Sequence, residues 1–355
     1  MNLSHPLARG VLATFLVVLV SLGLCVSLTP EQLLGWGTLI PVAMVPAQIV
    51  ISLFWGCQYP RRIAMLPQPL AGLGFLGLTV IAGGMVAVLA FRTVGGGITP
   101  PTPFVNMFLI LSVPVTLWLV VVLQAWPFRL LSKNPGVVGG ALWLGAYALA
   151  YGLFRSLFNF GFLKGAPIYF AELDPQGAMM ALVPLVFSIA SVMVMLSLVL
   201  LDFWPLSLLV KRIPALGNQP WFALLAGALI IVIARLVWSG FVDGQQMDLV
   251  VFLVQVCVSV VFGLFILLVM MEGVPFLSLP QPWRGLILVV VALLLGLAVF
   301  PLYRAVALHF YPLPAGQPGY VLELWIASAM LAITFPLMVV LGGYFKFWPL
   351  PAGAK

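Results

Sequence analysis

Ten stretches of this 355-residue chain are each about twenty residues long, mostly apolar and almost free of charge. They run approximately over 10–29, 33–57, 70–91, 104–126, 136–158, 177–201, 221–242, 247–271, 285–307 and 319–345. At 1.5 Å per residue, roughly 20 helical residues cross a hydrocarbon core of about 30 Å. Of all residues 64% are apolar and 6% charged, against roughly 45–50% and about 25% in soluble domains. Too little polar surface exists to coat a water-soluble body of this size. Lipid is the solvent that accepts outward-facing apolar side chains, while a charge at mid-depth costs several kcal/mol. The expected fold class is an all-α integral membrane protein, one polytopic domain over residues 1–355 with the lipid bilayer around it. No stretch is long and polar enough to form a separate soluble domain.

The scarce charges carry topology. Net charge is +7, but the cations sit singly or in pairs between apolar runs, without the basic, aromatic-bearing soluble face that nucleic acid needs. Arg9, Arg61, Arg62, Arg129, Lys133, Lys211, Arg212, Arg284, Lys346 and Lys355 fall on one side of the expected membrane; Arg92, Arg155, Lys164, Arg235 and Arg304 fall on the other. The richer side is expected to be cytoplasmic, with both termini there, in a bacterial plasma (inner) membrane. Arg9 followed by Val11 to Val26 resembles a cleaved signal, and Leu22-Gly23-Leu24-Cys25 a lipoprotein site. Bulky Leu24 and the lack of an Ala-x-Ala site argue for a retained first helix instead.

Two markers recur in phase. Odd-numbered helices start just after a proline: Leu3-Ser4-His5-Pro6, Leu66-Pro67-Gln68-Pro69, Ser132-Lys133-Asn134-Pro135, Gly217-Asn218-Gln219-Pro220 and Leu279-Pro280-Gln281-Pro282. Proline suits a first helical turn, where its missing N–H would lack a partner anyway. Even-numbered helices end in Trp126-Pro127-Phe128, Phe203-Trp204-Pro205-Leu206, Val274-Pro275-Phe276 and Phe347-Trp348-Pro349-Leu350, with Phe54-Trp55 and Tyr59-Pro60 as a looser first copy. The spacing points to five tandem helical hairpins, approximately 6–60, 69–127, 135–205, 220–275 and 282–349. Convergent Pro and Trp at membrane borders is the alternative reading.

Chemistry-bearing constellations are sparse. His5 and His309 lie at opposite ends of the bundle, and Cys25, Cys57 and Cys257 are isolated within or beside apolar runs. No metal, haem or other cofactor is expected, and the cysteines read as buried packing. Serines lack a histidine partner, and Gly95-Gly96-Gly97 lacks the Lys-Ser/Thr of a phosphate loop, so no enzyme is expected.

Four arginines are the candidate pathway residues. Arg92, Arg155, Arg235 and Arg304 each lie in the outer half of an odd helix. A cation there is favoured by the helix dipole and can snorkel to the interface. As a ring around a vestibule the four would instead attract anions. At the other end, the position three before the terminating proline reads Cys57, Gln124, Asp202, Glu272 and Lys346. Asp202 and Glu272 oppose their helix dipoles and call for pairing, with Lys211, Arg212 and Arg284 nearest in sequence, or for a role in proton coupling. Glu323 opens the tenth helix, where the dipole favours a carboxylate, and is a further candidate for charge pairing, with an outer arginine, or for coupling. Glycines of the third helix (Gly72, Gly74, Gly77, Gly83, Gly84) and fifth (Gly139, Gly140, Gly145, Gly152) indicate close helix packing, or else a conduit lined by odd helices.

Five tandem hairpins, ten helices and X-Pro starts such as Gln281-Pro282 resemble the architecture of the tellurite-resistance/dicarboxylate transporter and slow-anion-channel family. The resemblance implies a quasi-fivefold pore lined by odd helices and plugged by a phenylalanine in the ninth. Here Gly285 to Val299 contains no aromatic residue, so no gate residue is carried over. Two functions are expected on this basis. One is a conduit or carrier for a small anion. The other is a non-catalytic subunit or scaffold of a larger membrane complex, with lipid, other subunits or further copies as partners and an axis that is packed or plugged by lipid.

Overall fold

The computed structural model describes residues 6–273 and 278–350; His5, the Val274-Pro275-Phe276 marker and Lys355 lie outside them. Among the described residues ten helices are long and apolar enough to cross a membrane: α1 (Pro6–Val26), α2 (Pro30–Phe54), α3 (Leu70–Thr93), α4 (Pro103–Val122), α5 (Pro135–Leu157), α6 (Leu182–Leu200), α7 (Trp221–Gly244), α8 (Leu249–Met270), α9 (Trp283–Phe310) and α10 (Val321–Tyr344). This is an all-α protein of the integral membrane class. Helix α2 starts three residues earlier than expected because Thr29 and Gln32 form a reciprocal capping box around Pro30. Helix α6 starts at Leu182 rather than near 177, because Met179 and Met180 pair in parallel with Phe158 and Asn159.

The helices form two concentric rings. The even helices contact one another in the cyclic order α2, α4, α6, α8, α10 and back to α2. The odd helices lie outside them. In the most apolar window of each helix, 61–78% of residues are buried for the even set and 22–33% for the odd set. Any central passage is therefore lined by even helices, not by the odd helices that the family resemblance implied. Glycine on an odd helix marks contact with an inner helix: a Cβ at Gly83 of α3 would run into Met44 of α2, and one at Gly296 of α9 into the Ser259 carbonyl of α8. Backbones approach where side chains vanish.

Each odd helix begins against an inner helix three places back in the cyclic count. Gln68, before α3, donates through Nε2 to the Tyr344 carbonyl of α10 at 2.9 Å. Gln219, before α7, donates to Val122 of α4 at 2.9 Å, and Gln281, before α9, to Leu200 of α6 at 3.0 Å. For α5 the direction reverses, with Trp55 Nε1 beyond α2 donating to the Pro135 carbonyl at 2.9 Å. Arg9 of α1 pairs with Glu272, just past α8, at 2.9 Å. Gln68 and Gln281 also accept from Gly72 N and Gly285 N, so each side chain both caps its own helix and staples a neighbour.

All five inner helices stop in one way at this end, which we call the basic end. Two consecutive residues adopt left-handed backbone: Gly56 and Cys57, Gln124 and Ala125, Asp202 and Phe203, Glu272 and Gly273, Lys346 and Phe347. The second N–H of each pair turns back onto a carbonyl of the last helical turn, as in Cys57 to Ile51, Ala125 to Leu119 and Phe347 to Leu341. That satisfies carbonyls the helix end would leave without partners. Cys57 is thus the second residue of its cap, whereas Gln124, Asp202, Glu272 and Lys346 are the first of theirs. The first copy is out of phase by one residue.

Candidate functional site

The arginines do not converge. Arg92, Arg155, Arg235 and Arg304 are each exposed on a different outer helix, and none lines the central cavity. Arg235, the deepest, donates from Nη1 to Ser239 Oγ at 2.7 Å and to Asp243 at 2.8 Å, both in the last turns of its own α7. Among the described residues no carboxylate pairs with Arg92, Arg155 or Arg304.

The three candidate carboxylates have separate structural partners. Asp202 and Glu272 hold corresponding cap positions on α6 and α8, and each meets the start of an outer helix: Asp202 accepts from Gln281 Nε2 at 2.9 Å, Glu272 from Arg9 Nη2. None of Lys211, Arg212 and Arg284, the nearest cations in sequence, is ion-paired with either carboxylate. Glu323 is buried and accepts twice from the Gly316 N–H, at 3.1 and 3.2 Å. Cys25, Cys57 and Cys257 are buried and unbridged. Burial pushes the Cys57 thiol up to about 11 despite the opposing charge of Lys346. Among the described residues no group of three or more His, Cys, Asp or Glu side chains comes together.

The axis holds a well instead. A cavity of about 430 Å³ is lined by all five inner helices, through residues such as Val42, Ile110, Ile189, Val261 and Leu331. Its mouth lies at the far end of the bundle, opposite the basic end, among Glu31, Pro100, Pro101 and Ile168. Its lining continues down α2 to Val45, 14 residues from Glu31, which at 1.5 Å per residue is a depth of about 20 Å. Phe335 stands at the bottom with its ring against Phe265. Below it, buried Gln48 donates to the Pro336 carbonyl at 3.4 Å and ties α2 to α10.

Few polar groups line the well: Glu31 and Asn106 near its mouth, Thr38 and Ser328 about halfway down. Asn106 donates through Nδ2 to the Leu34 carbonyl at 3.0 Å, while its buried Oδ1 has no partner. Thr38 spends its hydroxyl on the Leu33 carbonyl at 2.8 Å. The lining offers a long apolar space with one buried, unpartnered acceptor near the entrance, the Glu31 carboxylate at the mouth and no cation. Sequence reasoning missed it, because in a lipid-embedded helix an apolar cavity wall and an apolar lipid face look alike.

No protein-family model, curated protein or solved structure matches this chain.

Proposed function

We propose that this is a non-catalytic integral membrane protein that houses a lipid-like apolar molecule on its axis, as a subunit or scaffold of a membrane assembly. The well carries that reading: all five inner helices contribute aliphatic walls to it, and no cation reaches it. Its volume of about 430 Å³ falls in the range of roughly 300–1,000 Å³ in which small-molecule sites occur. Water there would find almost no hydrogen-bond partner. An alkyl chain that displaces it is favoured by about 25 cal/mol for each Å² of wall covered. An anion in the same space would lose its hydration without donors to replace it, at a cost of several kcal/mol.

The anion-conduit alternative asks for arginines around a wetted axis, and their exposure on four outer helices supports the scaffold reading instead. The same proposal takes residues approximately 6–60, 69–127, 135–205, 220–275 and 282–349 as five tandem hairpins. Each supplies one outer and one inner helix, and each inner helix for which both cap residues are described ends in paired left-handed backbone. By the positive-inside rule the basic end is cytoplasmic, in a bacterial plasma membrane, and the well opens on the opposite side.

Two experiments on the purified chain test the function. Organic extraction and mass spectrometry of protein in mild detergent is expected to yield an apolar molecule in stoichiometric amount. Proteoliposomes are expected to show no chloride or nitrate flux above protein-free vesicles. An empty extract, together with flux that falls in Arg92→Gln, Arg155→Gln, Arg235→Gln or Arg304→Gln, would reverse the assignment.

A further inference from the structure

We propose that the basic end carries a second site, independent of the well, that binds a phosphate-bearing anion between the end of α2 and the linker from α4 to α5. A cavity of about 560 Å³ there is lined by Arg61, Arg129, Lys133, Tyr59 and Ser132, with Trp55 as part of its wall. The three cations come from three local structures. Arg61 opens the short helix Arg61–Ala64, Arg129 lies in the 3₁₀ turn Phe128–Leu130, and Lys133 directly precedes the Asn134 cap of α5.

The cavity lining contains no carboxylate, and among the described residues none of the three cations forms an ion pair. Their mutual repulsion is therefore unrelieved by the protein, and an anion seated between them removes it. The walls are fixed in advance. Trp55 is held by its bond to the Pro135 carbonyl and packs tilted against Tyr59, their ring centroids 5.0 Å apart. The Arg129 guanidinium lies over the Phe54 ring at 5.8 Å. Ser132 Oγ accepts from Asn134 N at 3.0 Å, which leaves its proton free to donate. Two guanidinium forks, an ammonium and a hydroxyl are the donor set that phosphate oxygens take.

Beside these charges, Leu53, Leu130, Leu131 and Val137 are exposed apolar side chains at the same end of the bundle. A phospholipid matches both parts, with its phosphate among the cations and its chains along that apolar flank. Basic pockets between helices at a membrane interface recognise anionic headgroups in this manner. Free inorganic phosphate or glycerol phosphate shares the headgroup chemistry without the chains.

The test uses the full chain in detergent. Native mass spectrometry compares phosphatidylglycerol with phosphatidylcholine of the same chains, and thermal shift follows inorganic phosphate and glycerol phosphate. The variants are Arg61→Gln, Arg129→Gln and Lys133→Gln, singly and combined, with Lys211→Gln/Arg212→Gln as the control at the same end. At about 1 kcal/mol per cation near an anionic surface, each single change is expected to weaken phosphatidylglycerol binding roughly fivefold, and the triple change on the order of a hundredfold. The control stays within about twofold of the unmodified chain by the same scale. Equal protection by glycerol phosphate, lost in the triple variant, upholds the site and makes its source soluble. Phosphatidylglycerol retained by a folded triple variant, or bound no better than phosphatidylcholine, overturns the proposal.

Discussion

Arg9 and Glu272 stand 263 positions apart in the chain and 2.9 Å apart in space. The guanidinium is largely buried and also lies over the Phe347 ring at 4.8 Å. One side chain of α1 thereby links the caps of α8 and α10 and closes the outer ring at the point where the chain's beginning meets its last third. Replacing Glu272 by Gln keeps an acceptor but removes the counter-charge of a largely buried cation. The expected loss is about 1–3 kcal/mol. In thermal unfolding in detergent, Arg9→Gln combined with Glu272→Gln should cost less than the sum of the two single changes.

Neighbouring glycines on α3 should respond oppositely to alanine. At Gly83 a Cβ collides with the side chain and backbone of Met44, so Gly83→Ala is expected to destabilise by about 1–3 kcal/mol. At Gly84 a Cβ meets nothing within 4 Å, and Gly84→Ala is expected to be neutral or to stabilise by up to about 1 kcal/mol. Melting temperatures of the two variants decide the matter. Equal responses would mean that α3 does not present this face to α2.

Within the well, Ala327 is small and lines the cavity wall on α10. Ala327→Phe fills space without touching the ring contacts at the basic end. The co-extracted apolar molecule is expected to fall severalfold while the elution profile of the protein stays unchanged. An undiminished extract would place that molecule elsewhere, for example on the lipid-facing surface.

A pH dependence follows from Asp248, the N-cap of α8. Burial pushes its carboxyl up, but hydrogen bonds from Tyr320, Val250, Val251 and Gln317 outweigh that and hold it below the ordinary aspartate range. A group depressed in the folded state favours folding above its unfolded pKa of about 3.9 and loses that contribution as pH falls through the folded value. Stability should therefore decline as pH is lowered from about 5 towards 3, and Asp248→Asn should flatten the decline. Tyr320→Phe removes the bond from the α10 cap to this carboxylate and should cost about 1 kcal/mol at neutral pH, modest because the site is half open to solvent. Melting curves across that pH interval read both effects.

On α7, Arg235 and Asp243 are both well exposed. Arg235→Gln is expected to change stability by less than about 1 kcal/mol, and to leave anion flux at the background of protein-free vesicles. A marked fall in stability on that single change would show that this charge serves more than its own helix end.

Helix number and most boundaries were legible because apolar run length answers directly to bilayer thickness. Which helices face inward was not. Val42 faces the axis and Leu73 is exposed on an outer helix, yet both are aliphatic, so amphipathicity carries no sign when the solvent is itself apolar. The proline and tryptophan markers stand just past the ends of α2, α4, α6 and α10, but did not reveal the left-handed pairs that close them. Gln124, Asp202, Glu272 and Lys346 share a backbone conformation and no side-chain chemistry. The partner of Glu272 was illegible for a different reason: sequence neighbours suggested Arg284, while ring closure brought Arg9 from the other end of the chain. The four arginines were legible as cations near helix ends, and their dispersal was decided by which ring their helices joined.

The circular order of the rings also bears on how the chain is made. Gln68 needs the Tyr344 carbonyl, and Arg9 needs Glu272, so the two earliest outer helices dock on helices synthesised late. During insertion Arg9 and Gln68 lack these partners until the end of α8 and α10 have been made, although α3 can already pack on α2. The starts of α5, α7 and α9 each meet an inner helix that already exists. A ribosome stalled before α10 would therefore hold an open crescent with two free edges, on α8 and α2, rather than a shorter version of the finished ring.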